Sequence, residues 1–324
     1  MLDYTEMLAD RIRTDAYCRA LRTHVRPGAI VVDIGTATGF LALVAARCGA
    51  RRVYGIDPSA TISLARELAA ANGCEDVVEF IQDFSTAVTL SERADVIVSD
   101  LRGMTPLFQG GLKAILDARE RFLAPGGVLI PMVDSLWGAL AQRPTQFDKR
   151  RAATDSDVFG INMQPTRRFV MNTIWRGRVR PEDVLVEPRC WGTLDYHTLQ
   201  SADVCGTLTW TLDRPISAHG LAIWFDSVLC DGIGYSSAPG RADSVYGHVF
   251  LPFEDPLDAQ PGDTIRVDVS ARLIGGEYIW RWDTWVCADG AAVVRRFSQS
   301  NFFGRPRSAY ADALPARVSE PANA

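Results

Sequence analysis

The stretch Val32–Gly39 (VDIGTATG) places Gly35 and Gly39 where a β-branched run gives way to a helical pattern, with Asp33 and Thr36 in the same turn. Glycine there lets the backbone pass close to a ligand, and the helix that follows offers free N–H groups at its N-terminus. Asp57 closes the next β-branched run, where an acid reaches ribose hydroxyls. Asp83 follows a third run, at a position suited to an adenine amino group. A diphosphate ligand wants a second glycine two residues after the first. That position holds Ala37, and nothing resembles a hydride-transfer site, so a nicotinamide dinucleotide fits poorly. A nucleoside without phosphates tolerates the alanine. S-adenosylmethionine fits this pattern, since its amino-acid end needs only backbone N–H groups and one cation.

The elements that position these residues alternate. Strands are expected at Ala29–Ile34, Val53–Ile56, Val77–Ile81, Val96–Val98 and Val128–Ile130. Helices are expected at Thr38–Cys48, after an N-cap at Ser59 with Ile62, Ala65, Leu68 and Ala69 on one face, and at Leu107–Leu123. Short apolar strands alternating with helices predict a Rossmann-like α/β domain with a parallel sheet covered on both faces, over about residues 1–135. From Arg143 to Val170 the text turns polar and reads as a helical arm. Beyond Val184 come short alternating runs at Gly206–Leu212, Leu221–Val228, Tyr246–Phe253, Thr264–Ala271, Tyr278–Val286 and Ala292–Gln299, divided by turn residues. These predict an antiparallel β-barrel or sandwich over 136–310, with a disordered tail at 311–324.

A formal net charge of −5 argues against a general nucleic-acid binder. No stretch approaches the roughly 18 apolar residues of a membrane span, and no secretory signal is visible at the N-terminus. The seven cysteines are scattered without C-x-x-C spacing and there are four histidines. No metal site is expected, nor a disulfide framework, and a cytoplasmic location fits.

Asp10–Tyr17 (DRIRTDAY), Val32–Gly39, Val53–Ser59 (VYGIDPS) and Ile97–Gly103 (IVSDLRG) resemble the protein arginine methyltransferase family in sequence and order. Gly220–Asp226 (GLAIWFD), Phe250–Leu257 (FLPFEDPL) and Pro261–Ile265 (PGDTI) look like that family's barrel. The resemblance spans Met7 to Phe303. It implies a class I methyltransferase with S-adenosylmethionine as donor and S-adenosylhomocysteine as product. It also implies a homodimer, formed when an arm, here about 143–180, docks on the partner's nucleotide domain. Arg13 would grip the donor carboxylate. Asp57 with Pro58 would hold the ribose, Asp83 and Ser85 would face the adenine, and Asp33, Gly35, Thr36, Gly39 and Ser99 would complete the donor site.

The pattern breaks at the acceptor side. The family carries two glutamates on the loop after the fourth strand, because a guanidinium stays protonated near neutral pH and must be held and relieved of a proton. Here the first is Asp100 and the second aligns with the uncharged Gln109. The family's late Thr-His-Trp loop corresponds to Asp243–His248 (DSVYGH), without a histidine in the matching place; His248 is expected to open the next strand. Arg102 replaces an apolar residue. If it points inward it repels a cationic acceptor and welcomes a neutral or acidic one; if it pairs with Asp100 it steadies the loop. The expectation is methyl transfer to an O or N acceptor on a small molecule or peptide, not to a standard protein arginine, with Asp100, Arg102 and Gln109 at the acceptor. The alternatives are a guanidine acceptor served by Asp100 alone and a non-catalytic donor-binding partner of another protein. The tryptophans from Trp175 to Trp285 are expected mostly in the barrel core.

Overall fold

The computed structural model of the chain describes residues 4–155, 157–241, 244–288 and 292–304. The tail predicted at 311–324 lies outside them. Two helices, α1 (Tyr4–Ala9) and α2 (Arg11–His24), precede an alternating segment. It runs β1 (Ile30–Ile34), α3 (Phe40–Arg47), β2 (Arg52–Ile56), α4 (Ile62–Ala71), β3 (Val78–Ile81), β4 (Ala94–Ser99), α5 (Gly111–Phe122) and β5 (Leu123–Ile130). The five strands are parallel in the order β3-β2-β1-β4-β5. All five residues of β1 are buried, as a central strand covered on both faces requires.

Three local expectations need correction. Ser59 does not cap α4, whose N-cap is Thr61; the Ser59 N–H instead donates to Asp57 Oδ1 at 2.8 Å. The helix expected from Leu107 begins only at Gly111, because Gln109 takes a left-handed φ of 46° and the chain before it is loop. The strand expected from Tyr246 begins at His248, which leaves Tyr246 in the turn ahead of it.

The antiparallel part starts at β6 (Val133–Ala141). An excursion follows: α6 (Pro144–Asp155), a hairpin of β7 (Asp157–Val158) and β8 (Ile161–Asn162), and α7 (Arg167–Met171). The chain returns through β9 (Trp175–Gly177), β10 (Arg189–Asp195), β11 (Val204–Thr211), β12 (Ile216–Cys230), β13 (Ile233–Ser236), β14 (His248–Ala259), β15 (Thr264–Ile274), β16 (Glu277–Ala288) and β17 (Ala292–Ser300). One sheet has the order β10-β6-β12-β14-β9 with β13 paired to β12, and the other β11-β15-β16-β17. The excursion is anchored by Phe147 and Met171, buried with Trp175, Trp224 and Phe250. Trp191, Trp210, Trp280 and Trp282 belong to the main core, as expected for aromatics on strands. Among the described residues no helix is long and apolar enough to cross a membrane.

Candidate active site

An open parallel sheet offers a crevice beyond the C-terminal ends of its strands where the strand order reverses, here between β1 and β4. Gly35 follows β1, Asp57 follows β2 and Asp100 follows β4, so all three stand at that crevice. The turn after β1 needs its glycines. Gly35 and Gly39 have φ of 73° and 80°, and a Cβ at Gly39 would sit 2.6 Å from the Phe80 ring. Asp33 shapes the turn from beneath, its Oδ2 accepting from Thr36 Oγ1 at 2.6 Å and from Ala42 N at 3.1 Å. Burial pushes its carboxyl up to about 7 despite those two donors. Asp33 and Thr36 are therefore occupied with each other.

Asp57 accepts Ala37 N on Oδ2 at 3.0 Å and Ser59 N on Oδ1 at 2.8 Å. Each oxygen keeps a lone pair, which suits the two neighbouring hydroxyls of a ribose. The N-cap residue Gly39 brings no side chain to the start of α3, and Asp33 takes the N–H of Ala42, which leaves the N–H groups of Phe40 and Leu41 without a side-chain cap at the crevice. Arg13 reaches in from α2. Its Nε donates to Asp100 Oδ2 at 2.5 Å and to Tyr246 Oη at 3.2 Å, and its Nη1 to Met7 O and Thr14 Oγ1. Among the described residues its Nη2 has no hydrogen-bond partner, which leaves one prong for a carboxylate. Free N–H groups at the start of α3, a carboxylate with a lone pair on each oxygen and a free guanidinium nitrogen together fit S-adenosylmethionine.

The remaining expected residues make local contacts. Ser99 is buried and contributes its carbonyl, which accepts from Tyr17 Oη at 2.9 Å. Pro58 and Asp83 are exposed, and Asp83 caps the N–H of its own neighbour Phe84 at 2.7 Å. Ser85 is buried and its carbonyl accepts from Arg121. Gln109 stands exposed on its loop, so the structure brings Asp100 and Arg102 together without it.

Arg102 points inward, its side chain only 3 % exposed. All five of its N–H donors are engaged. Nη1 donates to Asp100 Oδ1 at 3.1 Å and to Tyr17 Oη at 2.5 Å. Nη2 donates to Asp134 at 2.7 Å and Ser227 Oγ at 3.1 Å, and Nε to Asp134 Oδ2 at 3.2 Å. Asp134 is fully buried and also accepts from Tyr196 Oη at 2.6 Å. Tyr246 Oη completes Asp100, lying 2.7 and 2.8 Å from its two oxygens. Burial would raise the Asp100 carboxyl, but Arg13 and Arg102 outweigh it and hold the group below its usual range. Burial raises the Tyr246 phenol, and Asp100 raises it further. His248 is a wall residue: its Nδ1 accepts from Val179 N at 2.7 Å and its Nε2 faces Ser237 O at 2.8 Å.

Sequence reasoning missed Asp134, Tyr196, Ser227, Tyr235 and Tyr246. One signal was present. An acid near the start of a mostly apolar strand, Asp134, needs a buried cation, and Arg102, for which only Asp100 was weighed as a partner, could supply it.

Residues 13–130 match the family model for ribosomal protein L11 methyltransferase (PrmA). Protein arginine N-methyltransferase PRMT10 of Oryza sativa subsp. japonica is 30 % identical over 300 residues, covering 81 % of this chain and 78 % of that protein. Protein arginine N-methyltransferase 6 of Danio rerio is 28 % identical, covering 82 % of this chain and 80 % of that protein. Among solved structures, the Trypanosoma brucei PRMT1 enzyme-prozyme heterotetrameric complex with AdoHcy superposes with a TM-score of 0.83 at 23 % identity, covering 92 % of this chain and 96 % of that one. Arabidopsis thaliana protein arginine methyltransferase 10 gives 0.78 at 21 % identity over 92 % of this chain and 96 % of that one. The fold and these likenesses define a class I S-adenosylmethionine-dependent methyltransferase. The chain belongs to the protein arginine methyltransferase family.

Breaking a buried pair strands its partner charge, at a cost of about 3–5 kcal/mol, whereas replacing both members by apolar groups is close to neutral. Arg102→Met is expected to lower unfolding free energy by about that amount, and Arg102→Met with Asp134→Leu to recover most of it. Urea unfolding of the three proteins checks this; a single variant as stable as the wild type would contradict it.

Proposed function

We propose that this methyltransferase acts on an uncharged or anionic N or O acceptor, carried by a small molecule or peptide, rather than on the guanidinium of a protein arginine. The observation that carries the reading is the state of Asp100. Arg13, Arg102 and Tyr246 take up both of its oxygens, and Gln109 supplies no second acid. The two buried carboxylates, Asp100 and Asp134, already face two buried guanidiniums. A third guanidinium entering this site would carry an unbalanced charge into a low-dielectric interior.

When bound, S-adenosylmethionine supplies a methyl group activated by its sulfonium. The chain positions that group and shields it. Arg13 Nη2 takes the amino-acid carboxylate, Asp57 takes the ribose hydroxyls, and the Gly35–Gly39 turn with the start of α3 lies beneath. Asp100 fixes the Arg13 guanidinium and so acts through it. The fully buried rings of Tyr17 and Tyr246 close the wall against water. An acceptor that is already ionised, or a neutral amine, needs no base for the attack.

A guanidine acceptor is favoured by the names of the relatives, and would require Tyr246 to give up Asp100. The purified protein incubated with methyl donor and two acceptor panels separates the readings. Carboxylic acids and weakly basic aromatic amines form one panel, and arginine-rich peptides the other. Mass spectrometry is expected to find methylated product only in the first; efficient formation of methylarginine would overturn the proposal.

We also propose a homodimer through the excursion between β6 and β9. Phe159 at the hairpin tip is fully exposed and Ile161 is 62 % exposed. The outer face of the nucleotide domain carries a cavity of about 330 Å³ between α2 and α3, lined by Arg22, Val44, Arg47 and Cys48. Light scattering is expected to give twice the chain mass for the wild type and a monomer for Phe159→Asp; an unchanged mass in the variant would refute this contact.

A further inference from the structure

A second cavity, of about 210 Å³, opens on the antiparallel domain where the segment after β9 faces the connection from β13 to β14. Arg178, Arg180, Arg241, Ser237, Ser244 and His248 are among the residues lining it. Strand periodicity explains the cations on one side. Trp175 and Val179 are buried while Arg176, Arg178 and Arg180 are exposed, an alternation that starts in the edge strand β9 and continues into the segment after it. Arg241 faces them across the cavity. Arg180 is tied to Glu182 and Asp183, and Arg178 Nη2 reaches Ser244 O at 3.4 Å. The Arg241 guanidinium has no ion pair or hydrogen bond among the described residues. The wider setting is basic too. Residues 143–180 hold nine Lys and Arg against three Asp and Glu, in a chain whose formal net charge is −5.

The cavity shares a wall with the reaction site. Ser244 and Gly247 line it, and between them Val245 N donates to Asp10 Oδ2 at 3.0 Å while Tyr246 Oη binds Asp100. One turn of chain therefore has the N-cap of α2 and the Asp100 network on one side and the arginine-lined cavity on the other. We infer that this cavity seats the anionic end, phosphate or carboxylate, of the methyl acceptor, and this deepens the reading that the acceptor is not cationic. Its volume lies below the roughly 300–1,000 Å³ of a site for a whole drug-sized ligand, so it holds a charged head while the rest of the molecule extends along the turn. Arginine is suited to the task because its planar fork pairs with two oxygens at once.

The test needs no methyl transfer, so its result stands apart from the acceptor assay. Inorganic phosphate is titrated into the full-length protein at constant ionic strength and followed by phosphorus NMR line width, with chain mass measured on the same samples. Arg241→Gln is compared with the wild type and with Arg51→Gln, which alters an exposed arginine paired to Glu92 on the nucleotide domain. Saturable broadening is expected for the wild type and Arg51→Gln, with affinity at least fivefold weaker in Arg241→Gln. Displacement of phosphate by malonate would extend the site to carboxylates; failure of malonate to displace it would confine the site to phosphate. Absence of saturable binding, equal affinity in Arg241→Gln, or a loss of binding that merely follows a change in chain mass would overturn the inference.

Discussion

The Arg102 guanidinium is the interaction on which the rest of the site depends. It lies at the end of β4, and through Asp134 and Ser227 it is bound to β6 and β12 of the antiparallel domain. Through Asp100 and Tyr17 it is bound to the donor side. A charge this deeply buried is tolerated only when every donor is satisfied, and here all five are. The guanidinium carbon also lies 5.5 Å from the centre of the Phe225 ring, which adds an aromatic face to its surroundings. The two domains are thus joined by a polar network whose members cannot be removed singly.

That network decides what Asp100 is free to do. In a family whose acceptor is a guanidinium, an acid after the fourth strand would be expected to meet it. Here two of the chain's own guanidiniums stand on that acid, and the phenol of Tyr246 closes the remaining approach while stacking on Tyr235 at 6.0 Å. In the function proposed above, Asp100 is a positioning group for Arg13. The crevice beside it keeps features that fit the donor: glycines at positive φ, free N–H groups at the start of α3, and the Asp57 carboxylate with a lone pair on each oxygen.

Much of this could be read from the chain. The parallel sheet was legible because its strands are continuous apolar runs, and the glycine turn because few residues other than glycine adopt its backbone angles. The inward direction of Arg102 was legible only as one of two possibilities, and the structure shows both at once, since it points inward and pairs with Asp100. Tyr246 and Asp134 were not legible as members of the site. They come from β6 and the turn before β14, far apart in sequence, and only the pairing of β12 with both β6 and β14 brings them together. The exposed position of Gln109 was not legible, because residue type does not announce the left-handed backbone that this loop adopts there. The Asp83 carboxylate stands exposed and takes the N–H of Phe84 on one oxygen, a local contact that the sequence did not announce.

The most direct test of this account is the affinity of Asp100→Asn for S-adenosylhomocysteine, measured by calorimetry beside the wild type. If Asp100 serves chiefly to hold Arg13 for the donor, the variant should bind at least about tenfold more weakly, the equivalent of roughly 1.4 kcal/mol. Undiminished affinity in a variant that has lost turnover would contradict the account, because it would place Asp100 with the acceptor instead.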